Sequence, residues 1–161
     1  MRMADFDRLP AADALAALKE CCAAPEWADR LAARRPYGTV DALLADADAV
    51  LAELDERQID LALAAHPRIG ERAVHASSVR EQAGVAGAGD DVRAALADGN
   101  RAYEERFGHV YLVRAAGRSA DELLAILRAR LANDPATERA VLRGELAGIN
   151  RIRLARMVEE S

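Results

Sequence analysis

Apolar side chains recur in this sequence at the three- and four-residue spacing of a helix, and a few polar ones fall into the same register. Val92, Leu96, Asn100, Tyr103 and Phe107 form one series; Leu142, Leu146, Ile149 and Arg153 form another. At about 100° per residue each series lies on one face of a helix, the second within a sector roughly 60° wide. A chain with that period buries its stripes by packing helices against one another. Composition agrees: alanine and leucine abound, aromatics make up 4%, and only ten glycines and five prolines interrupt, a balance that favours helix. The expectation is an all-α fold of about eight helices in a single compact domain, residues 1–161, long enough to bury a core without a disulfide or metal staple.

The breaks between helices carry their own signals. Helices are predicted over residues 11–22 and 25–34, the second opened by Pro25 in the first turn, where proline is preferred. Thr39 caps a helix running to about Leu54. Asp55 with Gln58 reads as a capping box for the next helix, which must stop near His66 because Pro67 disfavours helical geometry in the residue before it. After a loop over 67–77, Ser78 to Gly84 reads as a short helix, with Ser78 and Glu81 as its capping box. The glycines from 84 to 89 form a turn, and Asp90 or Asp91 caps a long helix ending at Phe107 and Gly108. His109 to Val113 is apolar and β-branched enough to be extended. Ser119 with Glu122 caps a helix ending at Asn133, and Asp134–Pro135 starts the last one, reaching about Val158.

The formal charge is 22 minus 27, or −5, which argues against wrapping a phosphate backbone, so nucleic acid is not an expected partner. Residues 1–9 carry Asp5 and Asp7 and no apolar core run, unlike a signal peptide. No uninterrupted apolar stretch is long enough to span a bilayer, so no membrane partner is expected. Cys21 and Cys22 are adjacent, a poor geometry for a mutual disulfide, and Cys22 continues the stripe of Leu15 and Leu18; both point to reduced, packed thiols and a cytoplasmic location. His66, His75 and His109 lack zinc-ligand spacing, so no metal is expected. Neither a phosphate loop nor a nucleophile elbow is present.

Three polar residues on apolar stripes demand an account. Arg153 sits in the stripe of the last helix, where a guanidinium needs either a protein carboxylate or an anionic ligand. Asn100 faces the core, and its amide must be satisfied inside, most simply by loop backbone. His66 follows Ile59 and Leu63 on the apolar face at a helix C-terminus; the carbonyl dipoles there favour imidazolium while burial opposes it. Spacing alone leaves structural and ligand-binding readings open for each.

The string His66–Pro67–Arg68–Ile69–Gly70, then Ser78–Val79–Arg80–Glu81–Gln82–Ala83–Gly84, then Asn100–Arg101–Ala102–Tyr103–Glu104–Glu105–Arg106–Phe107–Gly108 resembles the OHCU decarboxylase family of the uric-acid pathway. The likeness continues through Arg130–Leu131–Ala132–Asn133–Asp134 and Ile149–Asn150–Arg151–Ile152–Arg153–Leu154, in order along the chain. It departs from the family after Gly108, where His109–Val110 replaces an aromatic followed by proline.

The resemblance implies an all-α, commonly dimeric enzyme with no metal or organic cofactor. Its reaction is decarboxylation of the small molecule 2-oxo-4-hydroxy-4-carboxy-5-ureidoimidazoline (OHCU) to (S)-allantoin. It implies His66 as the catalytic histidine and places Glu81 in the substrate-binding segment, where a carboxylate can orient or tune the histidine in the chemistry. Pro67, Ser78, Gln82 and Arg153 would contact substrate, and Tyr111, Leu112, Val113, Arg114 and Ala115 would contribute main-chain contacts. Two alternatives remain: a helical ligand-binding module without catalysis, and a decarboxylase acting on a related ureido acid.

Overall fold

Most helix signals in the sequence become helices, and the starts marked by Pro25, Thr39, Asp55, Ser119 and Asp134–Pro135 hold. The computed structural model describes residues 1–71 and 76–159; His75 and the middle of the predicted 67–77 loop lie outside the described residues. Among the described residues there are ten helices and no strand. They are α1 (Met3–Arg8), α2 (Ala11–Cys21), α3 (Pro25–Ala33), α4 (Val40–Glu53), α5 (Glu56–Ala64), α6 (Ala76–Glu81), α7 (Ala83–Ala86), α8 (Asp90–Phe107), α9 (Ala120–Arg130) and α10 (Pro135–Met157). The chain is all-α. None of these helices is long and apolar enough to cross a membrane.

The two helices beyond the expected eight have separate origins, α1 and the division of one expected helix. α1 is six residues long and buries only Met3 and Phe6, too little for a periodic signal. The predicted helix from Ser78 is instead two short ones, α6 and α7, with Gln82 between them.

Capping follows the sequence in most places. Thr39 accepts from the Ala42 N–H at 3.1 Å, and Asp55 accepts from the Gln58 N–H at 2.9 Å. Gln58 does not close that second box; its Oε1 takes the Glu26 N–H at 3.1 Å. Ser119 and Glu122 form the full reciprocal box, and Asp134 accepts from the Thr137 N–H at 2.8 Å to start α10. α8 departs from expectation: its cap is Gly89, and Asp90 and Asp91 lie in the first turn. There they still complement the positive end of the helix dipole.

Tertiary contacts divide the chain into two units, Met1–Ala65 with Ala147–Ser161, and His66–Leu146. In the first, α3 packs against α2, α4 and α5, and Trp27 is fully buried with its indole N–H donating to the Ala47 carbonyl at 3.1 Å. The start and end of the chain meet there, the Met3 N–H donating to the Glu159 carbonyl at 2.9 Å.

In the second unit α8 packs against α9, and Leu96, Tyr103, Leu123 and Leu127 form a core that also takes in Ile69, Tyr111 and Val113. Two glycines permit close approach. A Cβ on Gly84 would stand 2.2 Å from the Arg118 carbonyl oxygen, and one on Gly99 would stand 2.5 Å from Leu127 Cδ2.

Candidate active site

α5 ends at Ala64 with Ala65 as its C-cap, so the chain leaves the helix just before Pro67, as the proline requires. His66 and Pro67 follow at once and are half-buried. Downstream, the loop is tied at three points. The Asn100 amide donates through Nδ2 to the Ile69 carbonyl at 3.0 Å, the loop-backbone role that its register required. The Gly70 N–H donates to Gln82 Oε1 at 3.1 Å. Arg68 forks onto Glu104 through Nε at 2.6 Å and Nη2 at 3.2 Å, with Nη1 on Glu71 at 3.0 Å.

The buried Asn100 Oδ1 has no hydrogen-bond partner among the described residues. Asn100 therefore braces the loop with one end of its amide only.

Ser78 and Glu81 are both buried, at 4% and 8% exposure. The capping-box reading of this pair is corrected: α6 begins at Ala76, which puts Ser78 inside the helix instead of at its cap. The helix carries both side chains inward on its own period. Gln82 stands at the α6–α7 junction, holds Gly70, and lines a cavity of about 500 Å³ together with Val79, Val85 and Arg93.

After α8, Gly108 takes the left-handed conformation at φ 78° and terminates the helix. Residues 111–115 then run without regular structure, and Tyr111, Leu112, Val113 and Ala115 are buried while Arg114 is exposed. Side chains hold this segment in place of a sheet. The Tyr111 hydroxyl donates to the Leu123 carbonyl at 3.0 Å, Arg130 Nη1 donates to the Leu112 carbonyl at 2.5 Å, and the Arg114 N–H donates to Glu145 Oε2 at 2.9 Å.

Behind the segment lies a buried polar cluster. Glu138 is fully buried, accepting on Oε1 from Arg130 Nε at 2.7 Å and from the Tyr103 hydroxyl at 2.5 Å, and on Oε2 from Asn133 Nδ2 at 3.0 Å. Arg130 Nη2 lies 2.5 Å from the same Oε1 in an ion-pair contact without hydrogen-bond geometry. The guanidinium also covers the Tyr111 ring at 4.9 Å and the Tyr103 ring at 5.8 Å.

Burial pushes the Glu138 carboxyl up, but the bonds from Arg130, Tyr103 and Asn133 outweigh it and hold the group below the ordinary carboxylate value. Burial raises both tyrosines, Tyr103 further through its bond to Glu138, so they stay neutral donors.

Arg153 belongs to the first unit. It is half-buried on α10, and Nη1 donates to the carbonyl of Cys21, the last residue of α2, at 3.3 Å. A cation at a helix C-terminus complements the dipole there. Cys21 and Cys22 are both free and buried; burial pushes the Cys21 thiol up to about 12, with Arg153 opposing.

The predicted residues thus fall into two groups. His66, Pro67, Ser78, Glu81, Gln82 and residues 111–115 lie in the second unit, and Arg153 lies in the first. Within the second, the Gly70–Gln82 bond joins the loop after His66 to the α6–α7 segment. The supporting residues Arg130, Glu138 and Glu145 were missed. One signal was available: Arg130 continues the stripe of Leu123 and Leu127 at i+7 and i+3, the pattern that drew attention to Arg153.

These observations define an all-helical protein with a histidine loop braced by an asparagine and a buried main-chain segment held by an arginine. The family model described as OHCU decarboxylase matches residues 7–155, and the chain belongs to the OHCU decarboxylase family. It is 26% identical over 150 residues to the uric acid degradation bifunctional protein TTL of Arabidopsis thaliana, covering 88% of this chain and 46% of that one. It is 31% identical over 137 residues to the uric acid degradation bifunctional protein PucL of Bacillus subtilis, covering 83% and 28%. The chain therefore spans less than half the length of either relative.

A crystal structure of OHCU decarboxylase in the presence of (S)-allantoin superposes with a TM-score of 0.77 at 25% identity, over 86% of this chain and 94% of that one. A crystal structure of (S)-allantoin synthase gives a TM-score of 0.76 at 18% identity, over 98% and 54%, a likeness of fold.

Proposed function

We propose that this chain decarboxylates OHCU to (S)-allantoin, and that residues 1–161 act as one domain in doing so. The observation that carries the reading is the family match over residues 7–155. The structural likeness to an OHCU decarboxylase crystallised with (S)-allantoin supports it.

The chemistry suits a site built from the protein's own groups. In OHCU the carbon that bears the carboxylate adjoins a ring carbon double-bonded to nitrogen. Electrons released as carbon dioxide departs flow into that bond, so the substrate is its own electron sink. The protein supplies orientation, a water-poor site and a proton delivered to one face of the ureido-bearing carbon, which sets the hand of the product. His66 performs the proton transfer and Glu81 orients it. Ser78 and Gln82 bond the ureido and ring groups, Pro67 packs on the ring, residues 111–115 offer main-chain contacts, and Arg153 pairs with an anionic or carbonyl part of the substrate.

By the same family likeness the chain works as a homodimer, and its two free buried thiols suit the reduced cytoplasm. The test is to generate OHCU from urate with the two preceding enzymes, add the purified protein, and follow ultraviolet absorbance and the circular dichroism of the product. Acceleration over the spontaneous reaction with one allantoin enantiomer supports the reading. A rate equal to the spontaneous one sinks it.

A further inference from the structure

We propose that Arg130 and Glu145 are positioning residues that aim the main-chain N–H and C=O of Val113 at the substrate; this rests on the decarboxylase reading above and assigns two residues outside its site to it. A trans peptide is planar, with its C=O and N–H pointing in opposite directions. The Leu112 carbonyl is held by Arg130 Nη1 at 2.5 Å, so the N–H of the same peptide unit, which belongs to Val113, points away from Arg130. In the next unit the Arg114 N–H is held by Glu145 Oε2 at 2.9 Å, so the Val113 carbonyl points away from Glu145.

Each anchor therefore sets the direction of one Val113 group. No hydrogen bond among the described residues reaches that N–H or that carbonyl, although Val113 is only 2% exposed. Buried main-chain groups are nearly always paired, and a neighbouring donor and acceptor left together make an edge suited to a cyclic amide or ureido group.

The anchors are themselves secured. Arg130 is locked by Glu138, which Tyr103 and Asn133 complete. Glu145 accepts a second bond from Arg114 Nε at 3.1 Å. These are positions held by packing and ion pairs, as pre-organised binding groups require.

Glu145→Ala and Glu145→Gln are compared with the unaltered enzyme in the OHCU assay. Losing the anchor weakens substrate binding and product-state binding alike, so Glu145→Ala raises KM about tenfold with kcat within about twofold. Gln keeps an oxygen for the Arg114 N–H and restores KM to within about threefold. A Glu145→Ala enzyme with unchanged KM overturns the proposal, even where its Tm has fallen. So does Glu145→Gln with the same KM as Glu145→Ala, which would make the Arg114 side-chain pair the important contact.

Removing Arg130 would strand Glu138 in the core, so its part is read on the unaltered chain, titrated with (S)-allantoin while the Val113 amide resonance is followed. The resonance shifts on binding; one that stays still while others move overturns the proposal. Absence of any decarboxylation by the unaltered enzyme would remove the function and this inference together, whereas an active enzyme indifferent to Glu145 removes this inference alone.

Discussion

Arg130 and Glu138 form an ion pair inside the protein, Nε to Oε1 at 2.7 Å, with the arginine 5% exposed and the glutamate not at all. Two charges removed from water stabilise a fold little in net terms, because desolvation offsets their attraction, but breaking one partner leaves the other uncompensated. Arg130→Met is therefore expected to lose about 3–5 kcal/mol of unfolding free energy. The double variant with Glu138→Leu recovers part of that loss. Urea denaturation of the three proteins checks it; equal losses in single and double variants would contradict a coupled pair.

The same carboxylate gives the protein an acid-sensitive component. Glu138 is held below its ordinary value of 4.5, so the unfolded chain binds its proton more readily than the folded one. Its stabilisation is complete above the unfolded pKa and is lost as pH falls through the folded one. Stability measured from neutral pH downward should drop more steeply below about pH 4.5 in the unaltered protein than in Glu138→Gln. Parallel acid limbs would contradict this.

The thiols should be silent in the folded state. Burial pushes Cys21 up to about 12, and it raises Cys22 as well. At about pH 8 neither is a thiolate to a useful degree, so reaction with a disulfide reagent should follow global unfolding, with two thiols released together as denaturant crosses the midpoint. Reaction of either at zero denaturant would contradict the burial.

Two glycines separate backbone from side-chain crowding. A methyl at Gly84 would meet the Arg118 carbonyl, whereas one at Gly99 would meet only the end of Leu127. Gly84→Ala should cost about 1–3 kcal/mol or more, and Gly99→Ala less, because a leucine can change rotamer and a carbonyl in a packed turn cannot. Thermal unfolding of both variants gives the order.

Much of this was legible in the sequence because the signals were local. Pro67, Ser119 with Glu122, and Asp134–Pro135 each fix a helix boundary by covalent geometry or by a bond within four residues. Asn100 was legible as a brace because a buried amide must find a partner, although nothing local said that the partner would be Ile69. The support of residues 111–115 was not legible: Leu112, Arg130 and Glu138 lie on three separate stretches of chain, beyond the reach of any local pattern, and meet only once the segment after α8 has packed with α9 and α10. Ser78 misled because Ser-x-x-Glu is a cap signature by pattern, and α6 starts two residues earlier. The histidine motif was legible through family likeness, since its spacing alone fits a core histidine as well.

The central claim is that His66 moves the proton. Its most direct test is Asn in place of His66, assayed on freshly generated OHCU with turnover followed by circular dichroism. His66→Asn should fold with a near-normal Tm and lose roughly two to four orders of magnitude in rate, the range of a general acid–base group, with allantoin forming only at the spontaneous rate and as a racemate. Near-normal stereospecific turnover by that variant would contradict the account.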